Sequence, residues 1–494
     1  MIKNLGLYFN IIAKKYADKV AIKFNNYEQY TYNYLNELSE SFIKYFQEIK
    51  LRENDIIAIE SNKNIYSYAL VLASLKKGIT YSFIDMDDAD LRTKKIIKKL
   101  NPKRIFSFKK KLNLKNSIYL KKEKLQKIEK TKAKKKLKIK NKSYNAYVMF
   151  TSGSTGQPKG VKINHFNLFF FIKWGAKTFN IKEKTVMTNL NPLHFDNSVF
   201  DIYCSIFNGA TLVPIQKYEI FNFKKLINKL NKLNCNLWFS VPSLLNMILK
   251  ISKSSFFIKN KLKTIIFGGE PFPIVSIRKI FKYIKNSKIY NVSGPTECTC
   301  MCSAHLVKKK EIFYSKNISI GKISNYFKYK INIINPNLKY GELYLEGPAV
   351  SSGYINDDKR TLERFYKTKN GIGYKTGDLV IEEKEKNLKI IGRQDNQIKF
   401  LGHRIELEEI EKNINDIFKL NQSLVVLKEK KKFPFKKLIL LTEHKKLKID
   451  KLQDKLIKNL PRHMIPEEIK YVKIFKFNQN GKIDRKFYDR RIEK

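Results

Sequence analysis

The sequence contains little arginine, and its positive charge comes almost entirely from lysine. Only twelve of the 99 basic residues are Arg, and Lys is spread through every segment together with abundant Asn, Ile, Phe and Tyr. Because specific recognition of nucleic acids favours arginine in a localised patch, this composition argues against a sequence-specific nucleic-acid-binding protein. The net charge of +54 still predicts a cationic surface that would attract an acidic protein partner.

Cysteine and long apolar runs are also scarce. Five cysteines do not form the paired framework of a small secreted domain, which favours a reducing cytoplasm. No apolar run approaches the ~18–20 residues that a membrane span needs, so we expect no membrane-spanning helix. Near the N-terminus, Leu5, Phe9, Ile12 and Tyr16 recur at helical spacing, which predicts an amphipathic helix rather than a signal peptide.

The chain is long enough to need more than one core. Single cores stop growing near ~250–300 residues, so 494 residues predict two or more domains. Strand-like and helix-like stretches alternate from Val20 to about Phe108 and again from 144 to about 290, which predicts an α/β fold with parallel sheets flanked by helices. Between them, the lysine-dominated segment 109–143 predicts a solvated helix or a loose linker.

The last third of the chain changes character. From 320 the sequence is rich in strand and turn residues, which predicts a β-rich subdomain, and from 395 it suits a small α+β domain of about 100 residues. We therefore expect a large N-terminal domain over 1–394 and a C-terminal domain over 395–494.

A loop rich in glycine and hydroxyl groups follows a predicted strand, "AYVMF", in the stretch "MFTSGSTGQPKG" at 149–160. Gly153, Gly156 and Gly160 permit positive φ and close backbone approach, and the hydroxyls and Lys159 add donors, so the loop is suited to phosphate. Its spacing does not fit the P-loop of NTPases, and Pro158 blocks direct entry into a helix. A flexible linker is the alternative interpretation.

Further motifs follow in order along almost the whole chain: "NVSGPTECT" (291–299), "GELYLEGPAVSSGYIN" (341–356), "YKTGDL" (374–379), "GRQDNQIKFLGHRIELEEIE" (392–411) and "NQNGKIDRK" (478–486). Together with the glycine loop they resemble the adenylate-forming enzymes, which include acyl-CoA synthetases, luciferases and amino-acid adenylation domains. The resemblance implies activation of a carboxylate with ATP and Mg²⁺, and a small mobile C-terminal domain that swings about a hinge at Asp395.

The resemblance also implies roles for individual residues. Asp378 would bind ribose, Arg393 would contact ribose or phosphate, and Glu297 would be a Mg²⁺ ligand, although Asp378 is equally typical of a turn cap and Glu297 of a helix N-terminus. The catalytic residues implied are Lys482, Thr296 and Arg404, with Lys482 touching the substrate carboxylate and the bridging oxygen. The phosphate contacts implied are Thr151, Ser152, Gly153, Ser154, Thr155, Gly156 and Lys159.

One acid points to the type of substrate. Asp196, in "PLHFDNSVFDIY" (192–203), falls where amino-acid-activating members of the family place the carboxylate that pairs with the substrate α-ammonium. A buried ammonium needs such a counter-charge, although a turn or cap acid is the alternative. The other pocket positions implied are uncharged and predict a small or apolar side chain; they are Asn197, Phe200, Ile266, Gly268, Val292, Cys300 and Met301.

Some positions depart from the family pattern. Ser293 stands where most members have an aromatic residue that stacks on adenine. Cys298, Cys300 and Cys302 at spacing two predict side chains on one face of a strand, where they would line the pocket or the core rather than bind zinc. His194 and His403 are interpreted as supporting or surface residues, because an ionised carboxylate needs no general base.

The resemblance implies a second step, transfer of the acyl group to a thiol. We expect a monomer that accepts an acidic phosphopantetheinyl carrier protein in trans, with a pantetheine path near Gly402. "FGGEPFP" (267–273) and the stand-alone length are similar to D-alanine carrier-protein ligases. The alternatives are an acyl- or aryl-CoA ligase and a non-catalytic basic protein that binds RNA or a membrane surface.

Overall fold

The computed structural model separates into two compact units. The first consists of Met1–Asp85, Lys99–Phe150 and Gly160–Gln394, and the second of Met86–Lys98, Thr151–Lys159 and Asp395–Lys494. The domain limits 1–394 and 395–494 stay a prediction. The structure describes residues 3–87, 90–131, 139–153, 156–251, 259, 261–284, 286–314, 317–369, 371–429, 436–445, 447–478 and 483–493.

Nine described strands of the first unit form its largest sheet. The central strands are parallel, and antiparallel strands flank them at both edges. The order is Lys322–Ile323, Ser303–Leu306, Lys288–Ser293, Thr264–Gly268, Leu237–Ser240, Val186–Asn189, Thr211–Pro214, Val20–Lys23 and Gln29–Thr31. The carboxyl ends of the parallel strands therefore meet at one edge, where ligands bind in open α/β sheets.

A second sheet of six described strands has the order Ser117–Tyr119, Arg104–Ser107, Ile56–Glu60, Thr80–Ile84, Asn145–Thr151 and Lys159–Asn164. The first five of these run parallel. The predicted α/β architecture with parallel sheets is confirmed. The segment 109–143 contains the helix Lys122–Lys130, which agrees with the first of the two predicted alternatives, and the strand Ser117–Tyr119, which was not predicted. Residues 132–138 lie outside the described residues.

The predicted β-rich subdomain is an antiparallel sheet. Gly371–Glu382 pairs with Tyr340–Glu346, Phe365–Thr368 and Leu388–Arg393, and Tyr340–Glu346 also pairs with Lys328–Asn335. In the second unit, the hairpin Gln397–Phe400 and His403–Glu406 precedes a sheet of Leu424–Glu429, Lys436–Thr442 and Glu468–Tyr471.

Polar caps define where several helices begin. Asn4 accepts hydrogen bonds from the amides of Gly6 and Leu7, and Asn164 and Asn167 form a reciprocal capping box. The helices of the first unit are Leu5–Lys15, Tyr32–Glu48, Ile65–Lys77, Lys122–Lys130, His165–Phe179, Asn197–Val199, Lys217–Ile220, Phe223–Lys232, Pro242–Ile251, Ile274–Tyr283, Glu311–Tyr314 and Asp358–Arg364. The helices Leu407–Phe418, Ile449–Leu456 and Arg485–Glu493 belong to the second unit, and Asp90–Leu100 begins in it.

Apolar burial follows the layers of the fold. The main core of the first unit packs its helices on the two sheets, and a second cluster packs Phe223–Lys232, Pro242–Ile251 and Ile274–Tyr283 on the outer side of the larger sheet. The second unit has cores of its own around Leu407–Phe418 and the strand Leu424–Glu429. Within the part of the chain that the structure describes, no helix has the length and apolar character that crossing a membrane requires.

The predicted strand face for the three clustered cysteines is wrong, whereas their predicted packing in the core is confirmed. Cys298 ends the 3₁₀ helix Thr296–Cys298, and Thr299 and Cys300 both have positive φ, so these residues form a tight turn rather than a strand. Side chains therefore do not alternate across a sheet here, and spacing of two places no common face. All three thiols are buried, and none of them forms a disulfide among the described residues.

Candidate active site

Asp196 lies in a turn that follows Val186–Asn189, an interior strand of the larger sheet. It precedes the helical turn Asn197–Val199, which continues as one π-helical turn, Phe200–Cys204, and the Asp196 side chain makes no capping hydrogen bond there among the described residues. Instead, the Thr296 hydroxyl donates to Asp196 Oδ2 at 2.5 Å. The carboxylate is therefore held towards the motif at 291–299 rather than used as a cap.

The predicted pocket residues all belong to the first unit. Phe200 is fully buried and meets Phe171, Phe179 and Phe239 edge to face, with centroid separations of 6.5, 5.3 and 5.3 Å. Ile266, Val292, Cys300 and Met301 are also buried, and Asn197 is half-buried. None of these residues carries a charge, so the set is largely apolar.

Cys300 and Gly268, two of the predicted pocket residues, are constrained by their surroundings. Burial raises the pKa of the Cys300 thiol well above its usual value, and Asp196 lies near enough to add to that rise. Gly268 pairs with Val292 in the neighbouring strand, and a Cβ at Gly268 would lie 2.5 Å from the Val292 carbonyl oxygen. Close strand packing therefore requires glycine at 268, whatever its role toward a ligand.

Glu297 is a fully buried acid beside Thr296. The Tyr354 hydroxyl donates to Glu297 Oε1 at 2.7 Å, and the Ser351 amide donates to the Glu297 carbonyl oxygen at 2.8 Å. A carboxylate is the type of ligand that Mg²⁺ prefers, and Mg²⁺ commonly uses one or two carboxylates together with substrate phosphates and water. The described ranges hold no cluster of three or more His, Cys, Asp or Glu ligands, which is compatible with that mode.

Asp378 and Arg393 face each other across two antiparallel strands. Arg393 Nη1 donates to Asp378 Oδ1 at 2.5 Å, and both side chains are largely buried. The Arg393 guanidinium also donates to the Thr376 carbonyl oxygen at 3.2 Å. Asp378 thus lies within the strand Gly371–Glu382 and is not a simple turn cap.

The glycine loop groups with the second unit, where its donors bind acids. Lys159 Nζ donates to Glu406 Oε1 at 2.9 Å, and the Gly153 amide donates to Glu409 Oε2 at 3.1 Å. Both carboxylates are buried. Gly156 has a φ of 73°, as expected of a loop that turns tightly, while Ser154 and Thr155 lie outside the described residues. The loop therefore binds anionic groups in this structure, although they are carboxylates.

Arg404 belongs to the same network. The Ser152 hydroxyl donates to the Arg404 carbonyl oxygen at 2.6 Å, and Arg404 Nε donates to Gln397 Oε1 at 2.5 Å. The Gln397 amide in turn donates to Glu406 Oε1 at 2.6 Å. Sequence reasoning did not single out Gln397, Glu406 or Glu409, because acids in "RIELEEIE" are equally typical of a solvated helix face.

The remaining predicted residues are placed as follows. Thr151 ends the strand Asn145–Thr151, Gly402 turns the hairpin with a φ of 78°, and Asp395 begins the long segment of the second unit. Lys482 lies outside the described residues. The His194 ring lies 2.9 Å from the Ser61 hydroxyl, and the His403 ring stacks on His463.

A buried polar network that the sequence did not reveal supports the turn that carries Asp196. Asn189 and Asn191 both donate to Oδ2 of Asp201, at 2.9 and 3.0 Å. Lys63 donates to the carbonyl oxygens of Asn189, Leu190 and Ile215. One lysine thereby binds the ends of two parallel strands, and in a chain with so many lysines no sequence signal distinguishes it.

The parallel sheets with their added β-rich subdomain have the fold of an adenylate-forming ligase. The chain belongs to the AMP-binding enzyme family, whose model matches residues 9–355.

Relatives and solved structures agree with this assignment. A D-alanine–D-alanyl carrier protein ligase of Bacillus cereus (strain G9842) is 34% identical over 352 residues, which cover 69% of this chain and 70% of that protein. A protein of the same name from Lactococcus lactis subsp. lactis (strain IL1403) is 28% identical, with 96% of each chain covered. An artificially fused adenylation–PCP di-domain NRPS from Klebsiella oxytoca has the same fold, with a TM-score of 0.82 at 20% identity over 95% of this chain and 94% of that one.

Proposed function

We infer that the chain activates an amino acid with ATP and passes the aminoacyl group to the phosphopantetheine thiol of a carrier protein. The observation that carries the amino-acid assignment is the Asp196 carboxylate, which is held by the Thr296 hydroxyl instead of capping its own helical turn. An acid is the counter-charge that a protonated amine needs, and the other predicted pocket residues, such as Phe200 and Val292, are uncharged.

Activation requires no covalent bond between the substrate and the protein. An oxygen of the substrate carboxylate attacks the α-phosphorus of ATP, and the bond to pyrophosphate breaks, so that pyrophosphate leaves with the electron pair. The chain's part is to hold the reactants in line and to stabilise negative charge. Asp196 holds the amine, which fixes the position of the substrate carboxylate, and Asp378 binds the ribose in the arrangement proposed here. Lys482 remains the proposed contact of the substrate carboxylate.

The phosphates require positive charge and amide donors. The glycine loop supplies both, and its binding of Glu406 and Glu409 supports an affinity for anionic oxygens. Glu297 would hold Mg²⁺, which when bound neutralises phosphate charge. We propose that Arg393, which pairs with Asp378, contacts ribose or phosphate.

The type of amino acid follows from the pocket. Phe200, Ile266, Val292 and Met301 are uncharged and buried, so we propose a small or apolar side chain. The relatives' names make D-alanine the first candidate. Hydrophobic pockets discriminate only ~10–200-fold per methylene, so glycine and both enantiomers of alanine and serine belong in the same test.

Substrate-dependent ATP–pyrophosphate exchange tests the proposal with the purified full chain. We expect exchange with a small amino acid and a loss of about 100-fold in kcat/KM for that amino acid in Asp196→Asn, because the ammonium loses its counter-charge. Asp358→Asn, which removes an exposed carboxylate from the helix Asp358–Arg364, is the matched control and should retain exchange.

If neither enantiomer of any common amino acid supports pyrophosphate exchange, the amino-acid assignment is contradicted. Exchange that depends on a fatty or aryl acid and is unaffected by Asp196→Asn would favour the acyl- or aryl-CoA ligase instead. The final acceptor is tested separately, by mass spectrometry of a carrier protein bearing phosphopantetheine after incubation with the chain, ATP and the amino acid.

A further inference from the structure

The turn that carries Asp196 is closed at its base by one buried carboxylate. Asn189, the last residue of the preceding strand, and Asn191 both donate their side-chain amides to Oδ2 of Asp201, at 2.9 and 3.0 Å. Asp201 follows Asp196 along the chain and lies in the π-helical turn Phe200–Cys204. The two ends of the segment 191–201 are therefore joined through a single oxygen atom, with Asp196 between them.

The base of this segment is also fixed to its surroundings. The Asn191 side-chain amide donates to the Phe239 carbonyl oxygen at 3.3 Å, and the Tyr68 hydroxyl donates to Asn189 Oδ1 at 2.8 Å. Asn189, Asn191 and Asp201 are all buried, so water does not compete for these hydrogen bonds. A satisfied polar network in a buried place is rigid, and it holds its members in one geometry.

Local hydrogen bonds carry this geometry from the base of the segment to Asp196. The Phe195 amide donates to the Pro192 carbonyl oxygen at 3.0 Å, and the Ser198 hydroxyl donates to the Phe195 carbonyl oxygen at 2.7 Å. The Val199 amide donates to the Asp196 carbonyl oxygen at 2.9 Å. The backbone at Asp196 therefore has little freedom to move independently of the base.

The two acids have different access to a ligand. Asp196 is partly exposed and can meet one, whereas Asp201 is fully buried and acts through its neighbours. A misplacement of about 1 Å in a binding group can cost on the order of 100-fold in rate. We propose that Asp201 is a positioning residue for amine recognition, because it closes the base of the turn and thereby fixes the Asp196 carboxylate where the substrate ammonium binds. This inference rests on the proposed amino-acid substrate.

Asp201→Ala tests the inference, because it removes the acceptor at the base and leaves Asp196 unchanged. The measurements are ATP–pyrophosphate exchange with the preferred amino acid and inhibition of that exchange by the corresponding amino alcohol, for example alaninol, which has the amine and lacks the carboxylate. We expect the KM for the amino acid and the inhibition constant of the amino alcohol each to rise about 10-fold or more, because the counter-charge is displaced. The KM for ATP should stay within about twofold of wild type.

Two further variants separate positioning from general destabilisation. Asp201→Asn keeps an acceptor oxygen, and one oxygen receives both amide donors in the wild type, so this variant should bring both constants back to within about threefold of wild type. Asn4→Ala is the matched control, since it removes another buried side-chain oxygen of the first unit that accepts from two amides, those of Gly6 and Leu7. It should change neither constant by more than about twofold.

A double variant shows whether Asp201 acts through Asp196. In the background of Asp196→Asn the positioned carboxylate is absent, so Asp201→Ala should add less than about twofold to the inhibition constant of the amino alcohol. A full additional rise overturns the inference. If thermal unfolding shows that Asp201→Ala is not folded, Asn191→Ala removes one of the two donors and should raise the KM for the amino acid about threefold with the KM for ATP unchanged. An unchanged KM for the amino acid in Asn191→Ala then overturns the inference.

The remaining outcomes are also decisive. Unchanged constants in Asp201→Ala, or equal rises in the KM for ATP and for the amino acid, overturn the inference and leave the proposed function standing. The same holds if Asn4→Ala raises the constants as much as Asp201→Ala, or if Asp201→Asn fails to restore them. A wild type that exchanges with no amino acid overturns the proposed function and the inference together.

Discussion

At the scale of single residues, His165 shows how burial turns an ordinary side chain into a pH-dependent element. It begins the helix His165–Phe179, its ring is fully buried, and its Nδ1 accepts a hydrogen bond from the Leu5 amide at 2.9 Å. Desolvation lowers its pKa from 6.5 to about 3, because the imidazolium form loses its hydration. The neutral ring is therefore part of the folded state throughout the neutral range.

This shift predicts that acid destabilises the first unit. Between pH 6.5 and about 3 the unfolded chain binds a proton at His165 that the folded chain does not, so the free energy of unfolding falls as pH falls through this window. From pH 7 to pH 4.5 the contribution of this one residue is about 2 to 3 kcal/mol. His165→Asn offers an amide oxygen as acceptor for Leu5 and does not titrate, so it should lack this contribution.

Urea unfolding followed by tryptophan fluorescence measures the effect. The two tryptophans, Trp174 and Trp238, both lie in the first unit, so their fluorescence reports on that unit. Wild type and His165→Asn share all other titrating groups, and only the difference between their pH profiles is attributed to His165. Parallel profiles between pH 7 and pH 4.5 would show that His165 is protonated in the folded unit.

At the scale of elements, the sequence predicts what depends on local pattern. Alternating strand and helix signals locate Ile56–Glu60, Ile65–Lys77 and Arg104–Ser107, because hydrophobic periodicity and turn residues are properties of short segments. These local signals do not show that Val20–Lys23 pairs with Thr211–Pro214 in the larger sheet, since strand partners distant in sequence leave no local signal. The strand expected around Cys298–Cys302 fails for a related reason, because backbone turns override side-chain spacing.

The sequence likewise predicts only part of the candidate site. Asp196, Thr296, Asp378 and Arg393 lie in motifs whose order identifies the family, and the structure pairs Asp196 with Thr296 and Asp378 with Arg393. Glu406, the partner of Lys159, was not predicted as a site residue. A glutamate in a charged segment is common, and only its three-dimensional neighbour distinguishes this one.

Lys63 is an element-scale feature whose removal should destabilise the first unit. Its ammonium joins the ends of the strands Val186–Asn189 and Thr211–Pro214, and burial lowers its pKa while Asp201 opposes that change. Lys63→Met should leave three carbonyl oxygens without this donor and deprive Asp201 of a nearby positive charge. We expect a loss of roughly 3 kcal/mol in the free energy of unfolding, measured by tryptophan fluorescence in urea.

A matched variant and a double variant separate charge from packing. Lys224→Met, at an exposed position of the helix Phe223–Lys232, should change stability by less than about 0.5 kcal/mol. In the background of Asp201→Asn the penalty of Lys63→Met should be smaller, because the uncompensated carboxylate is gone. If Lys63→Met matches Lys224→Met, the lysine does not hold the two strand ends together.

At the scale of the whole molecule, the net charge of +54 is the property that composition alone determines. It results from Lys on many exposed positions, so the field is strong but diffuse, unlike the localised arginine patch of specific nucleic-acid recognition. Such a field accelerates encounters with an acidic macromolecule and contributes little to contacts with a small uncharged one. The proposed carrier protein is of the first kind, and free pantetheine is of the second.

Salt should therefore separate the two half-reactions. Raising ionic strength from about 0.02 M to 0.3 M shortens the Debye length from roughly 20 Å to below 10 Å. We expect kcat/KM for aminoacyl transfer to an acidic carrier protein to fall about 10-fold or more, since electrostatic steering is screened. Transfer to free pantetheine, and pyrophosphate exchange at saturating ATP, should change far less under the same conditions. If transfer to carrier and to pantetheine declines in parallel, salt acts on the active site or on folding, and the cationic surface does not steer the carrier.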